Sequence, residues 1–320
     1  MGDFVLKTKK IIKEGYYNLK NFGPKVMWAQ NNCILNDNSS KSLVNKNKIL
    51  FNYLTNKYTD IIQKYNDKAI HQDTCDEISN LPMWILWWQG EDNMPDMIKV
   101  CYRSVLENSN GHPVILLHKD NIREYVDFPD YIWKLYQDNV IRVQHLADMI
   151  RIRLIKNYGG LWLDASIYCN RKITDNVFSY GFYSLKNKDN PNTNISEDRW
   201  TTFLIGGHKD NLLCRFLDDC FMEYCKDNKP FIDYFMFDCL ISVGDKNIPK
   251  IHKLIENVPY YKGNYRLINQ HINDKVDDRL LSIFDSDNSM FYKISWNNSG
   301  KEIDKESLYN YIIKKELKNG

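Results

Sequence analysis

The sequence predicts an α/β fold with a mainly parallel, mixed sheet, preceded by a helical N-terminal arm. Residues 83–88, 114–117 and 161–163 are short, continuous apolar runs, which are typical of strands buried on both faces. Segments with helical periodicity separate these runs, so strands and helices alternate as in α/β domains. The change in texture near residue 78 predicts an arm over residues 1–78 and an α/β domain over residues 79–320.

Composition indicates a globular protein of 320 residues, with 43% hydrophobic and 26% charged residues. The 43 Lys and Arg nearly balance the 41 Asp and Glu, so no nucleic-acid partner is expected. The eight cysteines lack metal-site spacing and are expected to be buried, reduced thiols. There is no signal-like or membrane-spanning apolar run, which favours a cytoplasmic protein.

The N-terminal arm combines lysines with apolar residues over residues 1–30. This pattern fits a surface helix that touches anionic lipid on the inner face of the cell membrane. The favoured interpretation is an ordinary amphipathic helix packed on the body of the protein. Residues 31–47 are polar and predict a loop, and residues 48–65 have helical periodicity.

The α/β domain continues with helices predicted over residues 95–108, 121–125 and 131–136, the first with Pro95 near its start. Further along, residues 201–205 predict a strand that is followed by a Gly206-Gly207-His208 loop. Residues 231–241 predict a helix that carries Asp238. Ligands of such sheets bind beyond the carboxyl ends of the strands.

The segment from residue 148 to residue 166 holds the strongest functional signal. On a helical wheel, Asp148 and Arg151 fall inside the apolar arc, so they either form a structural ion pair or face a cavity. Two glycines then end the helix. The strand that follows ends in Asp164, and Ser166 shares its face by strand alternation. A strand-end carboxylate beside small residues suits Mg²⁺ or Mn²⁺ that also binds phosphate oxygens.

In this order, the motifs resemble those of capsular polysaccharide synthesis glycosyltransferases. These belong to a wider group of retaining sugar transferases with an Asp-x-Asp-type motif, and are distantly similar to the glucosyltransferase domains of large clostridial toxins. The resemblance covers most of residues 81–300 and is carried by Ile85 to Pro95, Ala147-Asp148-x-x-Arg151, Tyr158-Gly159-Gly160, Trp162-x-Asp164-Ala165-Ser166, Asp233-Tyr234-Phe235-x-x-Asp238 and Tyr292 to Trp296.

The resemblance implies a GT-A-type nucleotide-sugar-binding fold and a set of site residues. It implies that Trp87 stacks on the base, although core packing is the plain alternative for a Trp in this run. It assigns catalysis to Asp148, Arg151, Asp164 and Asp238. It assigns nucleotide-sugar binding to these first three and to Trp87, Gln89, Gly90, Gly160, Ala165, Ser166, Lys293 and Trp296. It assigns the metal to Asp164 and Ser166, where a serine replaces the usual second carboxylate. A capped or ion-paired helix residue remains the alternative for Asp238.

The function that the resemblance implies is metal-dependent hexose transfer, with Mn²⁺ or Mg²⁺. The donor is a nucleotide-diphosphate sugar, with a UDP-hexose favoured, and the acceptor is a growing surface polysaccharide or a lipid-linked saccharide. Retention of the anomeric configuration is implied as well. Two alternatives stay open: a non-catalytic protein that binds nucleotide sugars or carbohydrate, and a glycoside hydrolase that uses Asp164 and Asp238 as facing carboxylates.

Overall fold

The computed structural model describes residues 2–67, 78–187, 194–295 and 304–318. Within them the chain forms fourteen α-helices and seven strands. The N-terminal helices are α1 (Gly2–Phe22), α2 (Pro24–Leu35), α3 (Ser40–Lys57) and α4 (Thr59–Asp67). The strands are β1 (Met83–Leu86), β2 (Val114–Leu117), β3 (Gly160–Leu163), β4 (Ile167–Cys169), β5 (Phe182–Ser184), β6 (Leu204–Gly207) and β7 (Phe291–Lys293). The other helices are α5 (Asp96–Glu107), α6 (Ile122–Tyr125), α7 (Asp130–Gln137), α8 (Val143–Tyr158), α9 (Leu212–Lys226), α10 (Met236–Asn247), α11 (Pro249–Glu256), α12 (Leu267–His271), α13 (Asp278–Ser286) and α14 (Leu308–Lys318).

The central sheet has five strands in the order β2-β1-β3-β6-β5, which confirms the α/β class and its mixed sheet. Strand β1 runs parallel to both β2 and β3. Strand β6 pairs antiparallel with β3 and with β5, so the parallel half of the sheet is the half that holds β1 and β3. The small antiparallel pair β4–β7 starts just beyond Asp164 and sets Ile167 opposite Lys293. This pairing brings the C-terminal segment to the end of β3.

Both faces of the sheet are covered, as the apolar strands require. Trp84 and Trp162 point to one face and join a core with α8, α9 and α10. Met83, Leu161 and Leu163 point to the other face and join a second core. The alternation of side chains along β1 and β3 therefore assigns each residue to its face.

The N-terminal helices share the first of these cores. Leu50 and Leu54 on α3 are fully buried in it. The Tyr58 hydroxyl donates to the Cys220 carbonyl on α9 at 3.1 Å. The loop predicted over residues 31–47 is wrong, because α2 runs to Leu35 and α3 begins at Ser40. The polar residues of that stretch lie mainly on the exposed sides of two helices, which composition alone did not distinguish from a loop.

Two further element boundaries differ from the prediction. The strand predicted at residues 201–205 is β6, which includes Gly206 and Gly207. A Cβ at Gly206 would lie 2.8 Å from the Gly160 carbonyl oxygen, so these glycines serve close strand packing and not a loop. The helix predicted over residues 231–241 starts at Met236. Ahead of it, the Asp233 carboxylate accepts a hydrogen bond from the Phe235 backbone N–H at 2.9 Å and stabilises a turn.

The described cysteines are buried, unbridged thiols, as predicted. Burial raises the pKa of Cys101 to about 12, which leaves it protonated and unreactive near neutral pH. Cys75 lies outside the described residues.

Candidate active site

A cavity of about 540 Å³ opens at the carboxyl ends of β1 and β3. This is the edge of the sheet at which an α/β fold binds its ligands. Sequence-predicted residues line much of the wall: Trp87, Asp148, Arg151, Asp164, Ala165, Ser166, Asp238 and Lys293. The structure therefore brings together side chains that lie more than two hundred residues apart in the chain.

Arg151 is the buried base that joins the two predicted acids. Its guanidinium lies 3.3 Å from the Asp148 carboxylate and donates to the Asp164 carboxylate at 3.1 Å. The rings of Trp162 and Phe237 flank the guanidinium, at 4.8 Å and 5.4 Å from its central carbon. The ion pair considered from the sequence is formed, and it faces the cavity as well. Ring contacts on a planar guanidinium hold it in one orientation.

Asp148 is held closer to neutrality than an ordinary aspartate. Burial raises its pKa to about 7, against the opposing effect of Arg151, and the negative charges of Asp164 and Asp238 raise it further. Near neutral pH this carboxyl group therefore exists in both protonation states. A carboxyl group that is present in both states can donate a hydrogen bond to a sugar hydroxyl or accept one from it.

Asp164 is the point at which the positive charges of the cavity converge. The Lys293 ammonium lies 2.9 Å from one carboxylate oxygen of Asp164 and donates to the Ser166 hydroxyl at 2.7 Å. The other oxygen accepts from the Trp162 indole at 2.9 Å and from Arg151. Burial alone would favour the neutral acid, but Lys293 and Arg151 hold the pKa of Asp164 below its usual range. Asp164 is thus an ionised carboxylate with two cationic partners.

The protein offers a divalent metal two ligands at this point, the Asp164 carboxylate and the Ser166 hydroxyl. Among the residues that the structure describes, no group of three or more His, Cys, Asp or Glu side chains could hold a metal ion. A hard cation that keeps waters and takes phosphate oxygens needs only one or two protein ligands, so this pair fits Mg²⁺ or Mn²⁺ as part of a site that a diphosphate completes. The Lys293 ammonium contacts both ligands, and a metal ion would have to displace it.

The predicted site residues that follow β1 differ in whether they reach the cavity. Trp87 lines the cavity, and its indole N–H donates to the Asn93 carbonyl at 3.3 Å. Trp84 is buried in the core on one face of the sheet. Gln89 and Gly90 lie in the turn after β1 and do not line the cavity.

Gly160 also lies outside the cavity lining. Gly160 is the first residue of β3, with a φ of 97°. A Cβ there would lie 2.1 Å from the Pro82 carbonyl oxygen, so close packing of β3 on the residue before β1 explains the glycine. Trp296 falls outside the described residues.

Asp238 lies in the first turn of α10, on the far wall of the cavity. Its carboxylate accepts a hydrogen bond from the Trp200 indole at 2.9 Å. Burial raises its pKa to about 6, while the Trp200 hydrogen bond and the Arg151 charge oppose the shift. This partner is an indole and not a cation, which disfavours the reading of Asp238 as an ion-paired helix residue.

A model of capsular polysaccharide synthesis proteins matches residues 30–312 of this chain. The chain belongs to this family. The match begins in α2, so the family extends beyond the motifs of residues 81–300 and includes the helices α3 and α4. The resemblance drawn from the ordered motifs is confirmed.

Two curated proteins match a shorter part of this capsular polysaccharide synthesis family member. An uncharacterized glycosyltransferase of Acanthamoeba polyphaga mimivirus is 29% identical over 108 residues, which is 32% of this chain and 42% of that protein. The O-glycosyltransferase braB of Annulohypoxylon truncatum is 29% identical over 106 residues, 30% of this chain and 25% of that protein. The matched segments thus span well under two thirds of either relative. No solved structure matches the chain significantly.

Several cavity residues of this family member were not predicted as site residues. Tyr234 and Phe235 line the cavity and are 62% and 52% exposed, which is unusual for large rings. Both lie in the Asp-Tyr-Phe-x-x-Asp motif, which was the available signal. Gln144 and Asn269 also line the cavity, but no spacing in the sequence distinguishes them.

None of the described helices is long and apolar enough to cross a bilayer.

Proposed function

We propose that this chain is a glycosyltransferase that moves a hexose from a nucleotide-diphosphate sugar to a growing surface polysaccharide or a lipid-linked saccharide. A UDP-hexose is the favoured donor. The observation that carries this proposal is the convergence of Arg151 and Lys293 on Asp164, at the carboxyl ends of the parallel strands. Both curated relatives carry glycosyltransferase in their names, which supports the same activity.

A diphosphate fits the charge of this cavity. Arg151 and Lys293 both lie at Asp164, so two cations are placed to contact the oxygens of one diphosphate. Lys293 keeps about a third of its side chain exposed, so it can turn from Asp164 to an incoming phosphate. The Trp87 ring, which follows the carboxyl end of β1 and lines the cavity, offers a flat surface on which a nucleobase can stack.

The proposed reaction needs no protein nucleophile. The acceptor oxygen forms a bond to the anomeric carbon while the bond from that carbon to the diphosphate oxygen breaks. The acceptor attacks from the face that the diphosphate leaves, so the configuration is retained, and the acceptor proton passes to the departing diphosphate. Arg151 and Lys293 stabilise the negative charge that develops on the leaving group. Asp148 holds donor hydroxyls, and Asp238 binds the acceptor hydroxyl or stabilises the positive charge on the sugar.

A bound Mn²⁺ or Mg²⁺ would supply further positive charge to the leaving diphosphate. We assign Asp164 and Ser166 as its protein ligands. With a chelator in excess, donor hydrolysis should fall to background and return on addition of Mn²⁺. Full hydrolysis with the chelator present would instead assign the neutralisation of the diphosphate to Arg151 and Lys293 alone.

The hydrolase alternative is less well supported by this geometry. It needs one carboxyl group that donates a proton and another that faces it across the scissile bond. Asp164 is tied to two cations, which leaves it poorly suited to either task. The non-catalytic alternative can be distinguished by experiment. It predicts that the protein binds a nucleotide sugar without hydrolysing or transferring it.

Helix α1 supports the proposed contact with a membrane surface. Gly15, Asn18 and Phe22 of this helix are buried, whereas Ile12, Tyr16 and Leu19 are exposed together on another side with lysines beside them. Exposed apolar residues flanked by lysines are typical of helices that lie on anionic lipid. Sedimentation with anionic phospholipid vesicles tests this contact. Ile12→Asp should reduce binding, while Leu106→Asp, an exposed site on α5, should leave it unchanged.

Thermal unfolding in the presence of a panel of nucleotide sugars tests the donor assignment. A ligand at about a hundred times its Kd stabilises the native state by about 2.7 kcal/mol, which raises Tm by several degrees. We expect one or more UDP-hexoses to do so, and UDP to do so less strongly than the full donor. A panel in which no nucleotide sugar shifts Tm would contradict the proposal.

A further inference from the structure

A second cavity of about 560 Å³ lies next to the first. The two cavities share the side chains of Thr202, Phe203, Phe235 and Asp238 as a common wall. The far side of the second cavity is closed by the N-terminal helices, through Leu43, Lys46 and Asn47 of α3. Segment 1–78 therefore contributes to a space that adjoins the candidate active site.

The lining of the second cavity has the chemistry that binds carbohydrate. Amide and hydroxyl groups of Asn47, Ser196 and Thr201 can exchange hydrogen bonds with sugar hydroxyls. The exposed ring of Phe235 supplies a flat apolar surface against which a pyranose face can pack. Polar groups that fix orientation beside apolar rings are the usual composition of a site for a small polar ligand.

The basic residues of this cavity are already neutralised. The Lys46 ammonium lies 2.8 Å from the Asp233 carboxylate, and the Arg266 guanidinium lies 3.5 Å from the Asp198 carboxylate. A phosphate there would have to compete with a separate carboxylate for each of these two cations. In the first cavity, Arg151 and Lys293 lie together at the single carboxylate of Asp164. The second cavity therefore favours an uncharged saccharide unit over a nucleotide.

The helices α2 and α3 also hold the shared wall in position. Lys46 and Asp233 form a largely buried pair, and Gln30 of α2 donates to the Ile232 carbonyl at 3.0 Å and to Asp233 at 3.1 Å. Asp233 in turn binds the backbone N–H of Phe235 at 2.9 Å. The N-terminal helices thus fix the turn that carries the ring between the two cavities.

We propose that the second cavity binds the acceptor saccharide, that helix α3 completes this site, and that α2 supports it by holding the turn at Asp233. The term acceptor rests on the proposed glycosyl transfer, whereas saccharide binding in this cavity stands without it. A sugar in the second cavity would extend one hydroxyl past Asp238 and Phe235 towards the donor. The site consequently couples the helical arm to the choice of acceptor.

Filling the second cavity with a large ring tests this proposal. Leu43 lines the cavity, whereas its neighbour Val44 is exposed and points away from it. Leu43→Trp should lower binding to the saccharides of an immobilised glycan array by roughly tenfold or more, while Val44→Trp should bind as the wild type does. Asn47→Trp fills the same cavity from the next turn of α3 and serves if Leu43→Trp fails to fold. Unfolding curves of each variant establish that it is folded.

The array and donor hydrolysis together separate this proposal from the proposed function. Loss of glycan binding in Leu43→Trp with unchanged hydrolysis of a UDP-hexose supports the acceptor site. Loss of glycan binding when no form of the protein hydrolyses a nucleotide sugar supports a saccharide site and overturns the transfer. Equal glycan binding by Leu43→Trp, Asn47→Trp and the wild type would overturn the location. A wild-type protein that retains no glycan would overturn the saccharide assignment.

Discussion

At the scale of single residues, Asp164 is the centre of the candidate site. Its carboxylate forms ion pairs with Arg151 of α8 and with Lys293 of β7. The two cations stabilise the carboxylate in the protein without ligand and, in the proposed reaction, the leaving diphosphate. A residue that neutralises charge developed in the transition state typically contributes a factor of about a hundred to a thousand in rate.

Replacement of Lys293 by methionine tests its role as the movable cation. We expect Lys293→Met to reduce hydrolysis of the donor by roughly a hundredfold. The substitution removes the ammonium that stabilises the negative charge of the leaving diphosphate, but it keeps the apolar part of the side chain. Release of UDP from the hydrolysed donor measures this rate. Lys172→Met changes an exposed lysine that does not line the cavity, and this variant should hydrolyse the donor as the wild type does. A Lys293→Met variant with the wild-type rate would remove Lys293 from the proposed mechanism.

The pH dependence of transfer follows from Asp148 and Asp238, whose pKa values are raised to about 7 and about 6. Lowering the pH through this range protonates both groups, and a neutral acid accepts hydrogen bonds from sugar hydroxyls less well than a carboxylate does. Transfer should therefore fall as the pH drops from about 8 to about 5. In Asp148→Asn the remaining fall should be centred near pH 6, set by Asp238. A rate that stays level over this range in the wild type would contradict these roles.

Sequence reasoning found the residues that lie on one periodic segment and missed those that only the fold brings in. Asp148, Arg151, Asp164 and Ser166 follow from a helix wheel and a strand alternation within 19 residues of chain. Lys293 came only from the resemblance, because its contact with Asp164 depends on the pairing of β4 with β7. Gln144 and Asn269 carried no signal, since nothing in their local sequence distinguishes a cavity-lining amide from a surface one.

At the scale of elements, the turn from α8 to β3 determines where Asp164 ends up. Gly159 ends the helix with a φ of 71°, and Gly160 begins the strand with a φ of 97°. The sequence pattern indicated the break, whereas the binding role of Gly160 is what the resemblance implies. In the structure, Gly160 closely approaches the Pro82 carbonyl, which aligns β3 beside β1.

Gly160→Ala should destabilise the protein by roughly 2–4 kcal/mol, because the new Cβ meets a backbone oxygen and the left-handed φ is strained. Gly90→Ala is the matched control. Gly90 has a similar φ of 85° but nothing within 4 Å of the added Cβ, so only the strain of about 1 kcal/mol remains. Urea unfolding measures both changes. Equal losses in the two variants would mean that the contact with Pro82 does not matter.

Two basic residues of α8 form ion pairs with a buried acid of α9, which the pattern of α8 alone does not predict. Arg153 and Lys156 lie opposite the apolar arc, yet they are not simply solvated. Asp218 of α9, itself buried, receives Arg153 at 2.8 Å and Lys156 at 2.6 Å. The buried acid lies more than sixty residues further along the chain, so the helix pattern alone does not reveal this packing.

At the scale of the whole molecule, the helical N-terminal segment is built into the body of the protein. The sequence placed a boundary near residue 78, and helices do precede it. The buried residues Leu50, Leu54 and Tyr58, however, share one core with α9 and α10. The change near residue 78 from helical periodicity to alternating strand and helix patterns marks a change in secondary structure. It does not show which surfaces pack together.

Truncation distinguishes an independent arm from an integral part of the core. A chain that starts at residue 79 should fail to fold or should aggregate, because it exposes the apolar surface that α3 and α4 cover. A chain that starts at residue 24 loses only α1 and should fold cooperatively. Circular dichroism during thermal unfolding measures both. A stable, cooperative chain of residues 79–320 would contradict the shared core.

The central claim is that one cavity, built around Asp164, cleaves nucleotide-diphosphate sugars. Release of nucleoside diphosphate from a panel of nucleotide hexoses, measured for the wild type and for Asp164→Ala, tests it most directly. We predict that the wild type releases UDP from one or more UDP-hexoses and that Asp164→Ala, although folded, does so at a rate lower by at least roughly a hundredfold. Equal rates in the two proteins, or no release from any nucleotide hexose by the wild type, would contradict the claim.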